Sequence, residues 1–364
     1  MLRRIAPHIA VGDEDLGVKE MKAWIARRFF AALCAASSLI APAVAQTDAE
    51  AEFYKNKSIK LIVGSATGDS FDLYGRLVSR HLGKQLSGQP SMIVQNMQGA
   101  GSLNALNYLM NVAPRDGATL GLLIPVATIQ PLLQPQVARF DPRLINWLGS
   151  VADDYFTCGF WTPGKLDVKD LQAREYVVGS TAISGATYAA TRVFTSALGL
   201  KLKLVPGYGS MNELNHAAEK GEVSGHCGLM ATTLKTNLWQ AFTAGQLQIV
   251  LRAGLNDDPT LPGIPNAFDL ATSEEDRQVL LLLAGPWYYG RPLAAPPGVP
   301  PARLKALRSA FEAMVRDEAF LADAKMLNAV VAPLSAEKLA DTIAEIYKIP
   351  ESVILRARPL FGVE

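Results

Sequence analysis

The sequence predicts an α/β fold built from two lobes. Short apolar runs alternate with longer amphipathic stretches, which is the pattern of strands that connect through helices into a parallel sheet. This pattern runs from residue 59 to residue 124 and starts afresh near residue 157. The 364-residue chain is also long enough for two domains, because a domain commonly holds about 100–200 residues.

The first lobe is predicted to contain three strands and two helices. Apolar residues recur at helical spacing in the two longer segments, and Pro114 follows the second of them, where it would prevent the helix from continuing. The predicted elements are, in order, strand Ile59–Val63, helix Phe71–Leu86, strand Met92–Val94, helix Leu103–Val112 and strand Thr119–Ile124.

The second lobe repeats the alternation, and a helical tail follows it. The predicted strands are Thr157–Trp161, Tyr176–Gly179, Leu202–Val205 and Val223–Leu229, and the predicted helices are Thr187–Leu198 and Met211–Lys220. The tail is predicted to form helices Arg303–Val315, Glu318–Leu327 and Ala336–Tyr347. It holds too few strands for a third domain, so we expect it to pack on the first lobe.

These elements predict the domain boundaries. Lobe 1 comprises residues 46–149 and 286–364, and lobe 2 comprises residues 150–285. The chain then crosses between the lobes near Gly149 and near Pro286, and the two crossings would form a hinge. Six prolines between Pro286 and Pro301 predict that the second crossing is extended and stiff.

Residues 1–45 have the features of a signal peptide. Lys22, Arg27 and Arg28 precede an apolar run, and Ala43–Ala45 supplies a small-x-small cleavage pattern, which predicts cleavage after Ala45 and a periplasmic location. The run is too short for a membrane anchor. Acidic residues are unusual before such a run, so Met21 is predicted as the true start. Arg27-Arg28 also resembles a twin-arginine signal, although general secretion is the simpler interpretation.

Charge and cysteine content narrow the function classes. The chain is almost neutral, with 35 basic and 34 acidic residues, which argues against a nucleic-acid partner. Cys34 leaves with the signal peptide, so Cys158 and Cys227 remain in the second lobe. In an oxidising compartment these two could form a disulfide. Two separate buried thiols are an equally acceptable interpretation, since the sequence does not give their separation.

Two loops are the candidate binding elements. In open α/β sheets, ligands bind at the carboxyl ends of strands, where loops lead into helix N-termini with free amides. Gly64–Asp72 follows the first strand of lobe 1, and Ser180–Thr187 occupies the matching position in lobe 2. Both are rich in small and hydroxyl residues. Each alone could be an ordinary capped turn, but a matching pair on two lobes favours a binding site.

Sequence motifs typical of enzymes are weaker than the paired loops that favour a binding site. Gly99–Asn104 resembles a dinucleotide-binding turn but lacks the third glycine. No Gly-x-Ser-x-Gly elbow is present, and His81, His216 and His226 lack paired ligand spacing. The adjacent acids at 153–154 and 257–258 are interpreted as solvated charges. The sequence therefore predicts no catalytic residues, no metal site and no cofactor.

Several motifs together resemble one receptor family. In order along the chain they are Ile59–Asp72, Ile93–Ser102, Ala113–Gly117, Val205–Gly209, Leu261–Pro265, Trp287–Gly290 and Ala295–Gly298. This set is similar to the periplasmic receptors of tripartite tricarboxylate transporters, often called Bug-type solute-binding proteins. The Asn-x-x-Gly-Ala-Gly and Pro-x-Asp-Gly motifs are the most specific part of the resemblance, which covers nearly the whole chain after residue 45.

The resemblance implies a type II periplasmic-binding-protein fold, with two Rossmann-like lobes joined by a double-crossover hinge. It further implies a monomeric receptor that closes around a small carboxylate-bearing ligand and passes it to a membrane permease. By position, the ligand-binding residues would be Ala66, Thr67, Gly68, Asp69, Ser70, Asp72, Thr181, Ile183, Ser184, Gly185, Ala186, Thr187 and Tyr208. Asp72 would also cap the helix that follows the first loop.

Departures from the family pattern leave the ligand open. Gly68-Asp69 stands where the family usually has two glycines, and a carboxylate beside an anionic ligand would repel it by roughly 1–4 kcal/mol. The ligand would then be zwitterionic, neutral or metal-bound, unless Asp69 points to solvent. Ser65, Tyr188 and Ser224 also differ from the usual residues. A sensor that signals to a membrane partner and an exported α/β enzyme remain the alternative functions.

Overall fold

A computed structural model describes residues 50–183 and 185–363. The predicted signal peptide, its proposed start at Met21, and Ser184 lie outside the described residues. The strands form two sheets, and this arrangement confirms the α/β fold class. The strands are β1 Ser58–Val63, β2 Ser91–Asn96, β3 Thr119–Leu122, β4 Asn146–Ser150, β5 Phe156–Phe160, β6 Tyr176–Ser180, β7 Leu202–Pro206, β8 Gly225–Met230, β9 Gln248–Ala253, β10 Pro292–Ala295 and β11 Leu334–Ser335.

After helical residues 50–54 at the start of the described chain, fourteen further α-helices connect and cover these strands. They are α1 Ser70–His81, α2 Leu103–Asn111, α3 Gln130–Leu133, α4 Val168–Ala173, α5 Ala186–Leu198, α6 Met211–Glu219, α7 Ala231–Thr233, α8 Trp239–Thr243, α9 Ala267–Leu270, α10 Glu274–Tyr288, α11 Pro301–Met314, α12 Glu318–Met326, α13 Ala336–Ile346 and α14 Glu351–Ala357. A π-helical turn, Leu234–Leu238, lies between α7 and α8.

Each sheet combines parallel and antiparallel strands. The first sheet has the order β11-β4-β10-β3-β1-β2, with β1 parallel to β2 and β3, and β10 antiparallel to β3 and β4. The second sheet has the order β7-β6-β8-β5-β9, with β6 parallel to β7 and β8, and β5 antiparallel to β8 and β9. Strands β10 and β5 enter their sheets from the other half of the molecule, and the short β11 is also antiparallel to β4.

Two neighbouring segments carry the chain between the sheets. One lies between β4 and β5, and the other between α10 and β10. Their backbones are hydrogen-bonded to each other, since Val151 N donates to Arg291 O, Arg291 N to Ala152 O, and Asp154 N to Trp287 O, at 3.1, 3.1 and 2.8 Å. The crossings therefore lie side by side.

The second crossing begins later than the sequence suggested. Pro286 lies inside helix α10, which continues to Tyr288, so the expectation of extended chain at Pro286 is wrong. Proline has no amide to donate to the carbonyl of Leu282, and the helix ends only two residues after it, as expected of a residue that disrupts helices. Extended chain begins only with β10.

The helical tail contacts both halves. Phe311 and Phe320, on α11 and α12, belong to the core of the first sheet, together with Leu61 and Leu122. Helices α13 and α14 instead contribute to a second core that also holds Phe156 and Phe194 of the other half. The tail thus extends beyond the first lobe, where it was predicted to pack. Within residues 50–183 and 185–363, every helix is too short or too polar to cross a membrane.

The second sheet contains a disulfide bond. Cys158 on β5 pairs with Cys227 on the adjacent antiparallel β8, with their Cα atoms 4.0 Å apart. Both cysteines are fully buried. The bond links residues 69 apart in sequence, and it ties the crossing strand β5 to the centre of its sheet.

Candidate ligand-binding site

The first loop is closed by its own acidic side chains. Helix α1 begins after Asp69, whose carboxylate accepts hydrogen bonds from Asp72 N at 3.0 Å and from Ser65 Oγ at 2.8 Å. Asp69 therefore caps the helix and points back into the loop. Asp69 is half-buried and engaged in these bonds, so it does not point freely to solvent, which was one of the two interpretations of the sequence.

Asp72 is a supporting residue of this loop. Its carboxylate is buried and accepts from Gly68 N at 2.8 Å, Arg76 Nε at 2.9 Å and Asn96 Nδ2 at 3.0 Å. The prediction that Asp72 is the helix cap is wrong, because Asp69 occupies the capping position. Burial acts to raise the pKa of Asp72, but these hydrogen bonds outweigh it and hold that pKa below its usual value.

The remaining first-loop residues are accessible. Ala66, Thr67, Gly68 and Ser70 are exposed, and Gly68 has a left-handed φ of 87° with open space around its Cα. A residue with a side chain would be strained in that conformation. The amide of Gly68 is nevertheless already bonded to Asp72. The loop therefore offers accessible backbone with a negative side chain on each side of its helix start.

The second loop leads into a helix that no side chain caps. Gly185 occupies the cap position of α5 in extended conformation and makes no side-chain hydrogen bond there. Ile183 and Ala186 are exposed, and Gly185 is half-buried. A helix N-terminus carries a partial positive charge and unpaired amide donors, which together favour an anion. This terminus is therefore available to a negatively charged group.

Threonine side chains hold the second loop in shape. Thr187 is buried, and its Oγ1 accepts from Thr181 N and pairs with Thr181 Oγ1, both at 3.0 Å. Tyr208 packs against Gly179, where a Cβ would lie 2.9 Å from its ring. It joins a small core with Leu214. Thr187 and Tyr208 thus position the loop, and the structure shows neither of them lining the cavities described below.

A turn after β2 supports the first loop through hydrogen bonds. Residues 99–102 have four consecutive positive φ angles, from 45° at Ala100 to 127° at Gly99. Ser102 Oγ donates to Gly64 O at 2.7 Å and accepts from Ile124 N at 2.9 Å. The Gly-Ala-Gly motif therefore shapes a left-handed turn that joins the ends of three first-sheet segments.

Two cavities lie where the halves of the molecule meet. The Arg291 cavity, of about 470 Å³, is lined by Ser70, Phe71, Leu73, Tyr74, Asp154, Met230, Thr232, Thr233, Thr236, Asn237, Trp287, Arg291 and residues 327–330. The Gly185 cavity, of about 440 Å³, is lined by Ala100, Gly101, Leu103, Val126, Gln130, Leu133, Gln134, Val137, Phe156, Gly185, Ala186, Ala189, Leu283, Trp287 and residues 361–363.

The two predicted loops enter different cavities. Ser70 of the first loop lines the Arg291 cavity, whereas Gly185 and Ala186 of the second loop line the Gly185 cavity. Trp287 lines both, so the cavities are neighbours across its indole. Both are lined by residues from both halves of the molecule. The predicted loops therefore reach the boundary between the halves, but neither of these two cavities brings them face to face.

Two buried charges lie at this boundary and were not predicted from the sequence. Arg291 and Asp154 are 5% and 4% exposed and both line the Arg291 cavity. Asp154 accepts from Thr232 Oγ1 at 2.5 Å, and burial raises the pKa of its carboxyl although these hydrogen bonds oppose the shift. The signal for Asp154 was its acidic pair with Asp153, which was interpreted as solvated. That interpretation is wrong for Asp154, because the crossing segment buries it.

His226 has a structural place in the core of the second half. His226 is fully buried and bonds Asn215 through Nε2 at 2.8 Å, and burial lowers its pKa to about 4. Among the described residues, no group of three or more His, Cys, Asp or Glu side chains is arranged to hold a metal ion.

Comparison with known proteins identifies the fold. No protein-family model matches the chain. A protein from Cupriavidus necator described as "UPF0065 protein in gbd 5'region" is 25% identical over 297 residues, which span 79% of this chain and 84% of that protein. The alignment therefore spans most of both sequences.

Solved structures extend this similarity. A TctC solute-binding protein from Polaromonas superposes with a TM-score of 0.65 at 18% identity, covering 83% of this chain and 99% of its own. The periplasmic binding protein BugD gives 0.56 at 20% identity, covering 85% and 99%. MatC from Rhodopseudomonas palustris, solved with bound malate, gives 0.54 at 18% identity, covering 84% and 99%. The resemblance read from the sequence motifs is confirmed in the fold, which is that of these solute-binding proteins.

Proposed function

We propose that this chain, which has the fold of the TctC- and Bug-type binding proteins, is a periplasmic solute-binding receptor. It captures a small carboxylate-bearing molecule between its two halves and delivers it to the membrane permease of a tripartite tricarboxylate transporter. Lobe boundaries at residues 149–150 and 285–286, and action as a monomer, are part of this proposal. It includes no covalent chemistry on the ligand.

The observation that carries the proposal is the open N-terminus of helix α5 in a cavity between the sheets. Gly185 and Ala186 of this terminus line a cavity that also takes Ala100 and Gly101 from the other half, and because Gly185 N already donates to Ala182 O at 2.8 Å, the amides offered to a ligand start at Ala186. Ligand contacts on both halves favour a closed arrangement, because the ligand binds more tightly where both sets of contacts are made. The malate bound to MatC supports a carboxylate as the ligand class.

The crossing segments provide the movement that such capture needs. They lie side by side and are joined by backbone hydrogen bonds between Val151, Ala152 and Arg291. A pair of short crossings lets two sheets rotate about one axis, which is the geometry of hinge closure. The closed surface would then be what a permease recognises.

The proposal is tested by a thermal-shift screen of organic acids, amino acids and aromatic carboxylates, with malate and adipate included. A ligand that binds only the folded state adds RT ln(1 + [L]/Kd), or about 2.7 kcal/mol at 100 times Kd. We expect at least one carboxylate to raise the unfolding temperature by several degrees and to be recovered unchanged. Stabilisation by no acid, or conversion of the acid to a product, would contradict the receptor assignment.

A further inference from the structure

The positively charged guanidinium of Arg291 lines the Arg291 cavity and is held in place beside the two crossing segments. The guanidinium of Arg291 lies over two rings, with its Cζ 4.3 Å from the centre of Phe71 and 4.9 Å from that of Tyr74. Its backbone amide donates to Ser150 Oγ at 3.0 Å. Aromatic faces support a flat guanidinium through cation–π attraction and leave its edges for hydrogen bonds.

One donor of this group has no partner. Nη1 donates to Gly290 O at 2.9 Å, but the buried Nε is bonded to nothing in the described structure. An unsatisfied buried donor is unfavourable, and more so when the group carries a charge. The Arg291 side chain lines a cavity of about 470 Å³, although its Nε has almost no accessible surface there.

Among the described residues no carboxylate forms an ion pair with Arg291, although Asp154 is near enough for the charge of Arg291 to act against the rise of its pKa. Asp154 also lines the cavity, yet its oxygens bond to Thr232 and to Tyr155 N, and it forms no ion pair with Arg291 among the described residues. Burial also favours its neutral form. The other side chains of the cavity wall are uncharged, Thr233 and Asn237 among them.

We infer that Arg291 is a binding residue that anchors a carboxylate of the ligand inside the Arg291 cavity. A carboxylate meets a guanidinium with charge-assisted hydrogen bonds, which are stronger than those between neutral groups. The inference rests on the proposed receptor function. It adds a charged contact in the cavity that adjoins the Gly185 cavity across Trp287, where the helix terminus of α5 lies. Ser70, on the first loop, lies at the same cavity and supplies a hydroxyl donor.

The position of Arg291 links this contact to hinge movement. Its backbone forms part of the paired crossings, and another part of the cavity wall includes Asn237 of the π-helical turn. Turns of this kind are rare and occur often at functional sites. A carboxylate bound between Arg291 and that wall would touch both halves and would therefore favour closure.

The test compares carboxylate affinity in four proteins by titration calorimetry. The probe is whichever of malate, adipate and benzoate binds the wild type most tightly, together with its uncharged amide. Arg291→Gln removes the charge, and we expect its affinity for the acid to fall about 30-fold or more, since truncating one partner of a buried charge pair is costly. Its preference for the acid over the amide should largely disappear.

Asn237→Asp provides a variant that leaves Arg291 in place. It is nearly isosteric, its side chain is exposed, and it adds a negative charge to the cavity wall. We expect it to weaken the acid about three- to thirtyfold and to leave the amide unchanged. Asn212→Asp is the matched control, because Asn212 is exposed on α6, outside both cavities, and should bind as the wild type does.

The outcomes separate the two proposals. If the wild type binds an acid and folded Arg291→Gln binds it within twofold, the anchor is excluded and the receptor function stands. If Arg291→Gln does not fold, unchanged binding by Asn237→Asp excludes the anchor instead. If the wild type binds none of the probes and no other acid in the screen, both proposals fail together.

Discussion

The two strand-to-helix loops have the same sequence character and opposite electrostatic states. Both are rich in small residues, and both follow the first parallel strand of their half. In the first loop, Asp69 caps helix α1 and Asp72 binds the amide of Gly68. In the second loop, helix α5 starts at Gly185 without a side-chain cap.

This difference shows that small residues alone do not make an anion site. The amides of a helix start bind an anion only if no protein group has already taken them. At the first loop the chain supplies its own carboxylates, whereas at the second it supplies threonine hydroxyls that brace the loop from behind. The following predictions test that contrast, in order of expected size.

The largest expected effect concerns the sheet that carries the second loop. Reduction of the Cys158–Cys227 bond should destabilise the protein by about 4 kcal/mol, because the bond closes a loop of 69 residues in the unfolded chain. Chemical unfolding with and without reductant measures this, and alkylation followed by mass spectrometry checks the bond itself. Two free thiols in the untreated protein would contradict the pairing.

Replacing the buried acid of the first loop should cost nearly as much. Asp72→Ala leaves Gly68 N and Asn96 Nδ2 without their acceptor, and we expect a loss of about 2–4 kcal/mol in the free energy of unfolding. Asp69→Asn is the control, since asparagine caps helices about as well as aspartate. Equal stabilities of the two variants would mean that the first loop is not closed from within.

Adding an acid to the second loop should copy the state of the first. Ala186→Asp puts a carboxylate at the exposed first residue of α5, and we expect carboxylate affinity to fall about 10- to 100-fold. Stability should stay equal or rise, because acids favour helix N-termini. Ala186→Asn controls for size. Calorimetry with the acid found in the screen measures both, and unchanged affinity would remove α5 from the site.

Loss of the Thr187–Thr181 hydrogen bonds in the second loop should lower stability by a smaller amount. Thr187→Ala deletes the acceptor of Thr181 N and should lower stability by about 1–2 kcal/mol. Thr187→Ser keeps the hydroxyl and should retain most of that stability. Thermal unfolding of the pair makes the comparison. A serine variant as unstable as the alanine variant would show that the methyl group, and not the hydrogen bond, is what matters.

Lowering the pH should destabilise the first loop and leave the second loop unchanged. The pKa of Asp72 is below its usual value in the folded protein, so its contribution to stability is present at neutral pH and is lost as pH falls through that folded pKa. The described part of the second loop, residues 180–183 and 185–187, contains no titratable side chain. Hydrogen exchange at Gly68 N and Thr181 N, corrected for intrinsic rates, should diverge on acidification, and parallel behaviour would contradict the contrast.

The sequence by itself determined the local elements and their order. Helix α5 and strands β1, β6 and β7 lie within two residues of the predicted bounds, because hydrophobic periodicity and small-residue turns are local signals. Short strands such as β4 and β10, and helix α10, were missed. Their segments are apolar on all sides or contain proline, so periodicity carries no signal there.

Only the tertiary structure decided which groups meet. Asp69 and Asp72 differ in role because the chain turns one carboxylate to the helix start and buries the other beside Asn96. Arg291 meets Phe71 and Tyr74 only because two distant segments share the first half of the fold. Sequence spacing fixes which residues can interact locally, whereas burial and partner choice depend on contacts between segments far apart in the chain.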